Sequence, residues 1–113
     1  MKKPERPRQS RHMGHIYKIR YVTDLKDGEE HLSGQTDNDK AVILIEEGMP
    51  TSKERETLIH EVLHQLLEIS GLPDDIEEQV CTIGGAALGA HIDANPLFWK
   101  YVTRRLPKDY GAN

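Results

Sequence analysis

Residues 57–67 read TLIHEVLHQLL, with His60 and His64 four apart and Glu61 directly after the first, inside an otherwise apolar run. Side chains four apart on an α-helix project to nearly the same side, one turn above each other. The two imidazoles would therefore face one point, as a zinc ion needs from two ligands on one helix. Glu61 sits about 100° further round. It does not easily share the coordination plane, but it reaches a water on the metal. This is the HExxH pattern, two ligands plus a general base. Zinc lowers the pKa of a bound water towards roughly 7. Glu61 would take that proton as the water attacks a carbonyl and pass it to the leaving amine, while the metal stabilises the oxyanion. The plainer alternative is two core histidines. It is the weaker one, because burying two imidazoles and a carboxylate without compensation is costly.

Zinc requires a third protein ligand. A histidine six residues after His64 would fall at position 70, which is Ser70, and no cysteine cluster follows. The next candidates are Asp74, Asp75, Glu77 and Glu78, then His91. A glutamate on the following helix suits a His2Glu site, and both Glu77 and Glu78 belong to that helix's first turns. After Glu78, the offsets +3, +4 and +7 give Cys81, Thr82 and Gly85. Small residues at +3 and +7 let two helices approach closely, and Thr82 can support the carboxylate from one turn away. After Glu77 the same offsets give Val80, Cys81 and Gly84, a poorer match. Glu78 is favoured, with Glu77 as the alternative. An unused glutamate there would be an exposed charge favourable to the helix dipole.

These residues must be positioned by elements the patterning predicts. HIYKIRYV (15–22) alternates at period two and reads as a half-buried strand. Gly28 serves a turn, EHLSGQ a short second strand, and TDNDK a further turn. AVILI (41–45) is a continuous β-branched run, a better-buried strand. With such short connections the two or three strands should pair antiparallel. A helix from about 53 to 69 follows, with Thr51 and Glu54 spaced as a capping box, Ser52 as the alternative cap, and Gly71 as terminator. A second helix runs from Asp74 to about His91 and is rich in glycine and alanine. Asn95-Pro96 opens a third, from about 96 to 106.

The 113 residues, 36% apolar and 30% charged, suit one domain. The net charge of -4 argues against a dedicated nucleic-acid binder. Residues 1–14 are basic and almost free of apolar side chains, and should be a disordered tail before a domain spanning 15–113. The single cysteine, Cys81, forms no intrachain disulfide and fits a reducing compartment. No stretch reaches transmembrane length. A cytoplasmic protein is expected, with a peptide or protein as its partner rather than a nucleic acid or a membrane.

HEVLH (60–64), the Gly-Leu-Pro turn and EEQVCTIGG (77–85) resemble small gluzincin-like metallopeptidases of phages and prophages. More distantly, they resemble the ImmA/IrrE metallopeptidase domain. LSGQTDNDKAVILIEEGMP and ANPLFWKYV extend the likeness over roughly residues 16–105. The larger family follows HExxH with Glu-x-x-Ala-Asn/Asp, where this chain has Cys81 and Thr82. The resemblance implies a strand along the metal cleft, so that AVILI or the edge beside it could bind an extended substrate. His91 and Tyr101 are lesser candidates for polar roles, with helix-end placement and core packing the plainer readings. His12, His15 and His31 show no ligand spacing. Asp37-Asn38-Asp39 reads as a turn.

The expectation is an α+β zincin-like fold, with a small antiparallel sheet on two core helices and a C-terminal helix. Its activity would be zinc-dependent peptide-bond hydrolysis, with His60, His64 and Glu78 (or Glu77) on the metal and Glu61 as base. The alternatives are a catalytically silent metal-binding module and a zinc amidase acting on cell-wall peptide.

Overall fold

A computed structural model describes residues 5–105. The described chain is α+β, with six strands followed by three helices. The strands are β1 (Gln9–His12), β2 (His15–Val22), β3 (Lys26–Asp27), β4 (Glu30–His31), β5 (Gly34–Asp37) and β6 (Val42–Glu46). The helices are α1 (Thr51–Leu67), α2 (Asp74–Ala94) and α3 (Pro96–Val102). Among the described residues no helix is long and apolar enough to cross a membrane.

The sheet differs from expectation in size and direction. It has four strands in the order β1-β2-β6-β5, beside a two-stranded β3-β4 hairpin. β1–β2 and β5–β6 are antiparallel, but β2–β6 is parallel, from Lys18↔Val42 to Val22↔Glu46. The reason is the length of residues 23–41. This excursion is long enough for a crossover, which a parallel neighbour requires and a tight hairpin cannot supply. It releases β6, the most apolar strand, into the centre of the sheet, where Ile43 and Ile45 are fully buried.

β1 corrects a second expectation. Residues 9–12 lie within the stretch assigned to the tail, yet they pair with β2 from Gln9↔Lys18 to His12↔His15. Met13 (φ 48°) and Gly14 (φ 83°) close this hairpin. Two positive φ values in a two-residue loop match the twist of the flanking strands. The Arg6 guanidinium is tied down too. It donates to Glu47 at 2.6 and 3.0 Å and to Glu54 at 3.1 Å, and it lies 3.9 Å from the Tyr21 ring centroid. Lys2 and Lys3 of the basic tail lie outside the described residues, and α3 ends at Val102, short of the expected end at about 106.

Tyr17, Ile19, Ile43 and Ile45 make the core, covered by Leu58 and Val62 of α1. At roughly 1.5–3 kcal/mol per large apolar side chain, these few residues carry much of the sheet–helix adhesion. The expected capping box of Thr51 and Glu54 does not form, and Asp74 does not cap α2. α1 begins after Pro50 and α2 after Pro73, with no side-chain cap on either. Thr51 and Asp74 are already helical, whereas a capping side chain must stand just outside the helix.

α1 and α2 pack closely because Gly85 lies against α1. A Cβ built there would stand 3.0 Å from the Glu56 carbonyl oxygen and 3.2 Å from the His60 Cβ. Gly85→Val should therefore force the helices apart beneath His60. The expected cost is about 1–3 kcal/mol, read as a fall in melting temperature of roughly 4–8 °C per kcal/mol.

Candidate metal centre

The middle turns of α1 carry His60, Glu61 and His64, and the first turns of α2 carry Glu77 and Glu78. Glu78 stands between the two imidazoles. Its Oε1 is 3.0 Å from His60 Nε2 and its Oε2 is 2.9 Å from His64 Nε2. The rings are 5.1 Å apart, tilted by 58°. Each of the three residues offers a ligand atom within 4.8 Å of the others. Two imidazole nitrogens and one carboxylate oxygen are the donor set of His2Glu zinc sites, which leave a further position open. These residues thus fit a divalent metal by number, chemistry and proximity.

Glu77 takes a different part. Its Oε2 lies 2.7 Å from the other nitrogen of His64, Nδ1. Both ring nitrogens of His64 therefore face carboxylates. A neutral imidazole can donate to only one of them, so the second contact needs either a proton or a cation. Burial lowers the His64 pKa, but the Glu77 hydrogen bond and the charges of Glu61, Glu78 and Glu77 outweigh it and hold the ring above its usual value. A carboxylate on Nδ1 orients a metal-binding histidine and frees Nε2 as a ligand. The adjacent glutamates thus divide, Glu78 between the two imidazoles and Glu77 behind His64. Thr82 Oγ1 reaches Glu78 Oε1 at 3.4 Å, a long contact from one turn away.

Glu61 is nearly buried. Burial raises its pKa, as does Glu78, against the Thr36 hydrogen bond and the two histidines, which lower it. Thr36 Oγ1 lies 2.8 Å from Glu61 Oε1 and 3.0 Å from the Glu61 carbonyl oxygen. Oε2 lies 3.8 Å from His60 Nε2. Gly34 of β5 makes room for this side chain, since a Cβ there would stand 2.8 Å from Glu61 Cγ. Together these residues line a cleft of about 450 Å³, walled on the sheet side by Gly34, Gln35, Thr36 and Asn38.

Thr36 and Gly34 were not picked out from the sequence. SGQT carries no spacing signal, and these residues matter only because β5 lies across α1. The lesser candidates sit elsewhere. His91 Nδ1 accepts from Trp99 Nε1 at 2.9 Å, about 20 Å along α2 from Glu78, and Tyr101 is exposed on α3. Cys81 is free and fully buried. Burial and the nearby carboxylates push its thiol up to about 11, which keeps it a neutral packing residue. Asp37 closes the expected turn, accepting from the Lys40 N–H at 3.0 Å, and Asn38 Oδ1 accepts from Tyr17 OH at 2.8 Å.

Compared with known protein families, with curated proteins and with solved structures, the chain shows no significant match to any.

Proposed function

We propose that this protein is a zinc-dependent peptidase. The observation that carries the reading is the convergence of His60 Nε2 and His64 Nε2 on the Glu78 carboxylate, beside the buried Glu61, in an open cleft. The sequence likeness to gluzincin-like phage peptidases points the same way. His60, His64 and Glu78 would hold the metal. Zinc, when bound, supplies Lewis acidity and a water of lowered pKa.

The remaining chemistry belongs to the chain. Glu61 is held by Thr36 through Oε1, which leaves Oε2 on the histidine side to accept a proton and return it to a leaving amine. Its raised pKa suits a group that must both take and give. Glu77 fixes the His64 ring through Nδ1. β5 is hydrogen-bonded to β6 on one side only and lines the cleft, so its outer edge offers backbone groups to an extended peptide. β6 itself, the AVILI strand, is internal and serves as core. A reducing, cytoplasmic setting suits the unpaired Cys81.

The test is to incubate the zinc-loaded chain with a mixture of unstructured peptides and to identify new termini by mass spectrometry. Cleavage should appear, disappear with a chelator and return with added zinc. An absence of new termini from any peptide with zinc bound at full stoichiometry would leave a metal-binding module rather than a peptidase.

A further inference from the structure

α2 has two apolar faces. One, with Cys81 and Gly85, lies buried against α1. The other carries Ile76, Val80, Ile83, Ala87, Ala90 and Ala94, at steps of four, three, four, three and four, and every one of them is exposed. Alternating steps of three and four lay a straight seam along a helix, the pattern by which one helix packs against another. At 100° per residue the seam is centred opposite Gly85, so α1 cannot cover it. Ile83, in its middle, is 68% exposed.

The composition of the seam identifies its occupant. The large side chains fill its first half and the alanines its second. A second copy running antiparallel, with a twofold axis level with Gly85, sets Ile76 opposite Ala94, Val80 opposite Ala90 and Ile83 opposite Ala87. Each large side chain then meets a small one, the interdigitation that close packing requires. A parallel copy would set large against large and leave the alanines facing a gap.

Charge agrees with this direction. α2 opens on Asp74 and Asp75, whereas the chain beyond its far end carries Lys100, Arg104 and Arg105. Antiparallel pairing brings the acidic end of one copy to the basic end of the other and opposes the helix dipoles. α3 lies against His91 beside the seam, and its Leu97, Phe98 and Tyr101 are 81%, 52% and 63% exposed. An exposed apolar row of this kind marks an interaction surface.

We infer that the protein forms an antiparallel homodimer through the outer face of α2, with the metal-binding cleft of each copy left open on the opposite side. The pairing is independent of catalysis.

Sedimentation equilibrium of the full chain at tens of micromolar should give twice the 12.9 kDa chain mass. Ile83→Glu should give the single-chain mass with an unchanged circular dichroism spectrum. Because Ile83 is exposed within one copy, its replacement need not disturb the fold. A second measurement fixes direction. When Ile83→Cys and Ala87→Cys chains are mixed and oxidised, the disulfide linking one of each should form in excess of either with itself. Cys81, buried and protonated, stays silent. A monomeric wild type, a dimer that survives Ile83→Glu, or preferential linkage of the 83 position to itself would each overturn the inference.

Discussion

Glu61→Gln is expected to reduce peptide hydrolysis by roughly 10²–10⁴-fold, the usual contribution of a positioned proton acceptor. The amide matches the carboxylate in size and can still pair with Thr36 Oγ1, so the cleft keeps its shape. It cannot take a proton. The proposed ligands His60, His64 and Glu78 are untouched, so zinc should remain at one equivalent by metal analysis. Removing the charge beside His60 also relieves a carboxylate that burial disfavours, so thermal stability should hold or rise. The informative combination is lost turnover with retained metal and fold. If Glu61→Gln cleaved peptides at the wild-type rate, the proton would have to move through another group and the assignment of the base would fail.

The second large effect separates two adjacent glutamates. Glu78→Ala removes the carboxylate that bridges His60 and His64, leaving two imidazoles without the third donor that a stable zinc site needs. Stoichiometric zinc should be lost. Glu77→Ala removes only the partner of His64 Nδ1. The ligand set survives while the ring loses its anchor, so zinc should still bind at one equivalent, about 10–100-fold more weakly. Competition with a chelating dye measures both. The opposite ranking would exchange the roles of the two side chains, and full retention by both variants would remove the glutamate from the centre altogether.

The difference between these two residues marks where sequence reasoning stops. HExxH on an apolar helix was legible because helical spacing alone makes His60 and His64 face one point. The choice of Glu78 was legible in part, through Cys81 and Gly85, which fall on the helix face that meets α1. The duty of Glu77 was not, because it depends on how the His64 ring is turned between two adjacent glutamates, with Nδ1 on Glu77 and Nε2 on Glu78. Strand β2 was readable from end to end because one of its faces is buried and the other wet. β1 was not, because QSRH has no apolar residue and joins the sheet through its backbone. The parallel β2–β6 pair was hidden for a further reason, since strand direction depends on the path of residues 23–41 and not on either strand's own pattern. Thr36 bears on Glu61 only once β5 has been laid across α1.

The position of β6 has a consequence for how the molecule assembles during its synthesis. The strand that joins the two halves of the sheet is the last of the six to be made. Until residue 46 has emerged, the β1–β2 hairpin has nothing to pair with along its inner edge, and β5 has no neighbour in the sheet. A local hairpin closes within microseconds, whereas pairing across residues 23–41 must overcome the entropy of closing a long loop. Completion of the sheet, and with it the surface on which α1 settles its two histidines, is therefore tied to the arrival of one five-residue segment.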